Sequence, residues 1–147
     1  MLSMLKALLT TVLLLAFTVA ASAADKKLIH PKEFPKGRPF SPGIMVGNTL
    51  YVAGQTGQEL ATGKYPDNFE EEVKRTLDNI GLVLKEAGMS FNNAVAVQVH
   101  LTDMGLFQRM NKIYVTYFPE PRPVRTTVGV TKLAGPAKVE ITVTAAK

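Results

Sequence analysis

Two charged side chains near the C-terminal end of the chain are the strongest candidates for chemistry. Arg125 lies in the segment PVRTTVGV, and Glu140 lies in the segment VEITV. Both segments alternate as strands do, so Arg125 shares one face with Thr127, and Glu140 points away from its apolar neighbours. We expect the guanidinium and the carboxylate to project from neighbouring strands. Such a pair could form a salt bridge, or it could be a site for a small carboxylic acid.

Other common kinds of catalytic site have little support in the sequence. A nucleophilic triad needs a base beside a Ser, Thr or Cys, and the two histidines, His30 and His100, lie outside any recognised motif. We interpret both as structural or surface residues. The chain has no cysteine, and no His and carboxylate cluster has the spacing of metal ligands. The glycines of segment 54–57 lack the Lys-Ser/Thr of a phosphate loop, which favours a turn.

The first 23 residues have the pattern of a secretory signal peptide. A short start with one positive charge precedes an uncharged run rich in Leu, Val and Ala, and the segment ASA at 21–23 matches a cleavage site. The alternative is an uncleaved membrane anchor, because the apolar run approaches the length that can span a bilayer. We predict a signal peptide at residues 1–23, a mature domain at residues 24–147 without membrane association, and export to the periplasm or the medium.

The mature chain is long enough for one domain with a hydrophobic core. Its net charge falls from +5 to +4 on cleavage, because only Lys6 is lost. The basic residues are scattered, and no aromatic residues are interleaved with them to stack on bases. We therefore expect no dedicated nucleic-acid surface.

The apolar pattern predicts the element order β-β-α-β-α-β-β, with one more short strand at 27–30. Gly47-Asn48 suits a hairpin turn between strands at 44–46 and 49–53, with segment 54–57 ending the second strand. Strand 94–101 has one strongly apolar face. Because two helices cannot cover both faces of about six strands, we expect them on one face and copies of the chain on the other.

Each helix has recognisable ends. For the first, Asp67 and Glu70 resemble a capping box, the acidic residues 70–72 suit a solvated helix start, and Gly88 stops the helix. For the second, Thr102 or Asp103 is the expected cap and Pro119 the terminator. The positions expected to face the core are Phe69, Val73, Leu77, Ile80, Leu84 and Ala87 in the first helix, and Leu106, Met110, Ile113 and Tyr117 in the second.

A set of residues spread over most of the predicted elements carries a family resemblance: Val52-Ala53-Gly54-Gln55, Asn79, Leu84, Ala87-Gly88, Val99-His100-Leu101-Thr102-Asp103, Phe107, Asn111, Tyr114, Phe118, Pro123-Val124-Arg125-Thr126-Thr127-Val128, Val139-Glu140-Ile141 and Ala145. In these residues the chain resembles the RidA/YjgF family of enamine/imine deaminases over about residues 28–146. The resemblance implies an α+β subunit of the chorismate-mutase-like type, with a mixed sheet of about six strands, two helices on one face, and a homotrimer with sites in the clefts between subunits.

The same resemblance implies hydrolysis of 2-imino acids to 2-oxo acids and ammonia, without a cofactor. In this chain Arg125 would grip the substrate carboxylate, and Glu140 would help to place the attacking water. Backbone groups near Gly54 and Thr127 would contact the ligand, and Phe40 would line the cleft.

The sequence also departs from the family pattern around the expected cleft. Phe40 stands where active members commonly have tyrosine, Ala53 replaces a common serine, and Thr127 replaces a common cysteine. A noncatalytic, trimeric small-carboxylate-binding protein of the same fold is therefore the alternative. A ribonuclease role is disfavoured, because an exported protein meets little RNA and no base-stacking surface is visible.

Overall fold

A mixed six-stranded sheet is the framework of the computed structural model, which describes residues 25–147. The predicted signal peptide lies outside these residues. The element order and the α+β class are those predicted from the sequence. The strands are β1 (Lys26–Ile29), β2 (Gly43–Val46), β3 (Thr49–Thr56), β4 (Ala94–Leu101), β5 (Val124–Gly129) and β6 (Val139–Ala146); the helices are α1 (Phe69–Glu86) and α2 (Phe107–Tyr117), with short 3₁₀ turns at Phe91–Asn93 and Met104–Leu106.

The strand order across the sheet is β1-β2-β3-β6-β4-β5. Helix α2 carries the chain from β4 to β5, and strands joined by a crossover helix run parallel, as these two do. Strand β6 enters between β3 and β4 and is antiparallel to both. Because β4 separates β5 from β6, the expectation that Arg125 and Glu140 project from neighbouring strands is wrong.

Helix α1 packs against β3 and β6, and α2 packs beside α1, so both helices cover one face of the sheet as predicted. All six residues expected on the apolar face of α1 are buried. The helix begins one residue later than the capping box predicted, because the Asn68 side chain accepts a hydrogen bond from the backbone N–H of Glu71 at 3.0 Å. Gly88 follows the helix with φ +66°, a conformation that favours glycine.

Helix α2 follows a short 3₁₀ turn that Asp103 caps. The Asp103 carboxylate accepts a hydrogen bond from the backbone N–H of Gly105 at 2.7 Å. Met110 and Tyr114 are the fully buried residues of α2, whereas three of the four predicted core positions, Leu106, Ile113 and Tyr117, are only partly buried. Neither helix in the described part of the chain is both long and apolar enough to cross a membrane.

The face of the sheet opposite the helices is uncovered by any other element within residues 25–147. We call it the open face. Its exposed apolar side chains include Leu28, Tyr51 and Val124, with exposed fractions of 55%, 54% and 73%. One row of paired residues crosses the whole sheet on this face: Leu28, Ile44, Tyr51, Thr144, Ala96 and Val124. The predicted uncovered apolar face is therefore present in the subunit.

Candidate active site

A cleft of about 530 Å³ brings together three of the predicted site residues, Phe40, Gly54 and Glu140. Phe40 comes from the irregular arm between β1 and β2, Gly54 from β3, and Glu140 from β6. Strand β3 ends at Thr56, within the segment 54–57 that was predicted to end it. We call this space the Glu140 cleft.

Gly54 and Glu140 are in direct contact within this cleft. A β-bulge between Val52 and Gln55 changes the pairing of β3 with β6 at this point. A Cβ atom at Gly54 would lie 2.7 Å from Glu140 Oε1, so only glycine leaves room for the carboxylate in this position. The ion pairs in the described part of the chain all join other residues, so the carboxylate has no cationic partner there.

Hydrogen bonds of the buried Asn79 and of two partly buried residues fix one wall of the cleft. Asn79 of α1 donates hydrogen bonds from Nδ2 to the carbonyl oxygens of Thr56 at 3.1 Å and Gln58 at 3.0 Å. The hydroxyl groups of Thr56 and Tyr65 lie 2.9 Å apart and share a hydrogen bond. The Asn79 contacts fix the end of β3 and the residues after it against α1. The contact between Thr56 and Tyr65 ties the end of β3 to the loop that follows it.

Glu72 anchors the start of the strand that carries Glu140. Its side chain is 1% exposed, and Oε1 accepts hydrogen bonds from the backbone N–H groups of Lys138 at 2.6 Å and Val139 at 3.4 Å. The prediction of a solvated acidic helix start is therefore wrong for Glu72. Glu70 and Glu71, the other two acidic residues of this helix start, are solvent-accessible. Sequence reasoning missed this role because the partners are backbone groups 66 and 67 residues away.

Arg125 lies on the helix-covered face, which is the face opposite Glu140. It pairs in register with Val97 of β4, and Val97 pairs with the buried Val143 of β6. Its guanidinium carbon lies 4.5 Å from the ring centroid of Tyr114 and 5.6 Å from that of Phe107. A salt bridge between Arg125 and Glu140 of the same chain is excluded, because β4 and the thickness of the sheet separate them.

Two buried hydroxyl groups near Arg125 have no hydrogen-bond partner in the described residues: Thr127 Oγ1 and the Tyr114 hydroxyl. Burial raises the pKa of Tyr114, and the Arg125 guanidinium opposes that rise by its positive charge and as a nearby donor, although the two groups do not meet in good hydrogen-bond geometry. Buried polar groups in proteins are normally hydrogen-bonded. The Arg125 guanidinium has no ion-pair partner in the described chain, and its paired donors are chemically suited to a carboxylate.

The structure thus divides the predicted site residues into two groups. Phe40, Gly54 and Glu140 line the Glu140 cleft, whereas Arg125 and Thr127 lie together on the opposite face of the sheet. Sequence reasoning did not single out Arg38, which also lines the Glu140 cleft. Little in the sequence indicated that Arg38 belongs to the site, because it lies among several basic residues in a Pro- and Gly-rich arm.

The two histidines occupy different places. His100 lies directly opposite Glu140 in the pairing of β4 with β6, and its Nδ1 atom is buried without a hydrogen-bond partner in the described chain. His30 lines a second cleft beside the N-terminal arm. Within residues 25–147, no group of three or more His, Cys, Asp or Glu side chains is placed to hold a metal ion.

Comparison with known proteins places the chain in one family. The sequence model described as Endoribonuclease L-PSP matches residues 31–147. A RutC family protein of Pyrococcus abyssi is 38% identical over 118 residues, which cover 79% of this chain and 93% of the relative. A 2-iminobutanoate/2-iminopropanoate deaminase of Mus musculus is 38% identical over 122 residues, which cover 82% of this chain and 90% of the relative.

The fold agrees with these matches. The crystal structure of RidA from an Antarctic Psychrobacter species superposes with a TM-score of 0.78 at 30% sequence identity, covering 82% of this chain and 99% of that one. The family match spans nearly all of the described residues, and the fold match includes the sheet, both helices and the strands that bear Arg125 and Glu140. The chain therefore belongs to the RidA/YjgF family, the family whose sequence model is described as Endoribonuclease L-PSP.

Proposed function

We propose that the protein hydrolyses short 2-imino acids to 2-oxo acids and ammonia. The observation that carries the proposal is the Glu140 carboxylate, which faces a cleft and has no cationic partner in the described chain. The relative from Mus musculus that is named 2-iminobutanoate/2-iminopropanoate deaminase supports the choice of reaction. Glu140 is only partly buried, so both water and a ligand in the cleft can reach its carboxylate.

The reaction needs water to attack an electrophilic carbon and ammonia to leave. Glu140 accepts a proton from water as the water oxygen bonds to C2 of the imine, and it passes this proton to the imine nitrogen, which gives a carbinolamine. The proton of the carbinolamine hydroxyl then moves to nitrogen, the C–N bond breaks as the C=O double bond forms, and a 2-oxo acid and ammonia result. Because C2 of an imino acid is already electrophilic, positioning and proton transfer are sufficient, and no cofactor is needed.

Arg125 supplies the second half of the proposed site. Its planar guanidinium offers paired donors that match a carboxylate, and the hydroxyl groups of Thr127 and Tyr114 are unsatisfied beside it. Within one subunit, however, Arg125 and Glu140 lie on opposite faces of the sheet. A single site that uses both side chains must therefore be built from two subunits.

The open face favours such an assembly, because its exposed apolar residues, including Tyr51 and Val124, would be buried between copies of the chain. We propose a homotrimer with one site in each cleft between subunits, as the family resemblance implies. In that arrangement Arg125 of one subunit faces Glu140 of its neighbour, and the ligand lies between them.

The export of the protein is a further part of the proposal, supported by the N-terminal sequence pattern alone. We propose that residues 1–23 are a signal peptide that is cleaved, and that the mature protein acts in the periplasm or the medium. The mass of the protein recovered after expression of the whole chain tests this directly. A mass that still includes residues 1–23 would contradict it.

The function is tested by following imine hydrolysis in the presence of the purified protein. An amino-acid oxidase generates 2-iminobutanoate, and semicarbazide traps the imine that has not been hydrolysed. We expect the protein to reduce trapping, and we expect Arg125→Ala and Glu140→Gln to abolish this effect. Arg122→Ala is the matched control, because Arg122 lies in the same segment and pairs with Glu120. Full activity of Arg125→Ala would refute the mechanism.

The alternative is a noncatalytic carboxylate-binding protein. The wall of the Glu140 cleft favours it at two positions, because Phe40 and Ala53 provide no side-chain hydroxyl. Calorimetry with 2-oxobutanoate, run beside the hydrolysis assay, separates the two functions. Binding without any acceleration of hydrolysis would support the alternative.

A further inference from the structure

Arg38 is the one cationic side chain among the described residues that line the Glu140 cleft, and the proposed reaction leaves it without a role. Its half-buried side chain lines the cleft together with Phe40 and Glu140. The guanidinium carbon lies 5.7 Å from the centroid of the Phe40 ring, and Nη2 donates a hydrogen bond to Gln58 Oε1 at 3.2 Å. Gln58 is held in turn by a hydrogen bond from its Nε2 to the carbonyl oxygen of Gly63 at 3.1 Å. The guanidinium is therefore positioned by neutral groups.

No acidic side chain in the described part of the chain neutralises Arg38. The ion pairs there join Lys74 with Glu71, Arg109 with Glu70, and Arg122 with Glu120. A guanidinium has five N–H donors, and Gln58 accepts from only one of the nitrogens. The remaining donors are available to a planar anionic group.

The charge distribution around Arg38 favours an anion on this side of the site. Arg38 and Phe40 also line a second cleft, which contains His30 and Lys36 and no acidic residue. The two clefts therefore share Arg38 and Phe40, and Glu140 lines only the first of them. A ligand with a negative charge at each end could place one charge beside Arg38 on the side of the second cleft, which no acidic residue lines.

We propose that the substrates are 2-imino dicarboxylic acids and that Arg38 binds the carboxylate distal to the imine. This inference rests on the proposed function and specifies its substrate class. Arg125 of the neighbouring subunit would hold the carboxylate beside C2, and Arg38 would hold the far end of a four- or five-carbon chain. The hydrolysis itself is unchanged: water adds to C2, the C–N bond breaks, and ammonia leaves. Arg38 acts as a specificity residue and takes no part in proton transfer.

The inference is tested by comparing ligands that differ in the distal carboxylate. Calorimetry measures the dissociation constants of 2-oxoglutarate and 2-oxobutanoate, and the trapping assay compares 2-iminoglutarate with 2-iminobutanoate. For the unaltered protein we expect the dicarboxylate to bind about tenfold or more tightly than the monocarboxylate, as a charge-assisted contact provides. In Arg38→Gln we expect the ratio of the two constants to fall towards one. Equal binding of both ligands by the unaltered protein, or an undiminished preference in Arg38→Gln, would overturn the inference.

Two further variants keep the result interpretable. Lys32→Gln removes a positive charge from an exposed position of the same arm and should leave the ratio unchanged. Arg38→Lys keeps the charge but loses the planar fork, so it should retain part of the preference even if Arg38→Gln folds poorly. Hydrolysis without a dicarboxylate preference would overturn this inference and leave the proposed function standing. A dicarboxylate preference without hydrolysis would instead refute the proposed function and leave the Arg38 site standing.

Discussion

The Glu140 carboxylate lies against the backbone of Gly54, where a Cβ atom would come within 2.7 Å of Oε1. Gly54→Ala must therefore displace the carboxylate, while the backbone of Gly54 has no positive φ that alanine would strain. We expect imine hydrolysis to fall by about 100-fold, because a shift of about 1 Å at a reacting group can cost that much. The trapping assay measures the loss, and thermal unfolding verifies that the variant is folded.

Gly81→Ala is the matched control for this substitution. Gly81 lies within α1, and a Cβ atom there would make an ordinary contact of 3.4 Å with the Phe91 ring. Alanine in a helix interior should raise the free energy of unfolding by about 0.5–1 kcal/mol and leave hydrolysis unchanged. Full activity of Gly54→Ala would show that the position of the Glu140 carboxylate does not control the reaction.

Removing the hydroxyl group should change stability in opposite directions at two tyrosines of α2, Tyr114 and Tyr117. Tyr114→Phe removes a buried hydroxyl that has no partner in the described chain, so stability should be unchanged or rise by up to about 1 kcal/mol. Tyr117→Phe removes a hydroxyl that donates to Asp78 Oδ1 at 2.7 Å, so stability should fall by about 1 kcal/mol. Urea-induced unfolding measures both changes.

The same two variants distinguish an effect on ligand binding from an effect on stability. If the Tyr114 hydroxyl serves a bound carboxylate beside Arg125, calorimetry should show weaker binding of 2-oxobutanoate in Tyr114→Phe and unchanged binding in Tyr117→Phe. Equal affinity in both variants would mean that the Tyr114 hydroxyl has no part in the site. A marked loss of stability in Tyr114→Phe would reveal a partner for the hydroxyl in the assembled protein.

Local patterns were sufficient to predict most of the fold. The hairpin at Gly47-Asn48, the apolar face of α1 and the alternation in β4 and β6 each depend on residues close together in the sequence, and each was confirmed. The order of the strands was not predictable in this way. Alternation in β5 and β6 fixes the faces of Arg125 and Glu140 but contains no information about β4 lying between them.

The site was harder to predict than the fold for the same physical reason. The face of Glu140 followed from alternation, but its contact with Gly54 depends on a bulge in β3, and the anchoring of β6 by Glu72 depends on backbone groups far along the chain. Arg38 gave no periodic signal, because its arm is irregular. The roles of Arg125, Thr127, Phe40, Gly54 and Glu140 in binding and catalysis remain predictions.

The ion pair between Glu70 and Arg109 predicts a pH dependence of stability. Glu70 accepts hydrogen bonds from Arg109 Nε at 2.7 Å and Nη2 at 2.8 Å, and this contact lowers the pKa of Glu70 from 4.5 to about 2. A carboxyl whose pKa is lower in the folded state stabilises the protein above its unfolded pKa and loses this effect as the pH falls through its folded pKa. The contribution should therefore be complete above about pH 4.5 and disappear towards pH 2.

Glu70→Gln tests this dependence through the unfolding temperature measured between pH 3 and pH 7. We expect the variant to be less stable than the unaltered protein at pH 7, by a small amount because the pair is solvent-exposed. The difference should shrink as the pH falls below 4.5. Glu71→Gln controls for the loss of a negative charge in the same helical turn, where Glu71 pairs with Lys74. A difference for Glu70→Gln that is as large at pH 3 as at pH 7 would contradict the assignment.

The exposed apolar side chain of Val124 predicts how the subunits associate. Val124 lies on the open face with 73% of its surface exposed, one residue before Arg125 and on the opposite face of β5. If this face is buried between copies, Val124→Glu would place an unpaired carboxylate in an apolar interface, which is strongly unfavourable.

For Val124→Glu we expect a shift from trimer to monomer in sedimentation, with the subunit still folded because no other described element covers this residue. Hydrolysis should be lost as well, since Arg125 and Glu140 of one chain cannot meet. Val115→Glu makes the same change at an exposed position of α2 and should keep the trimer; a trimer in both variants would place the interface elsewhere.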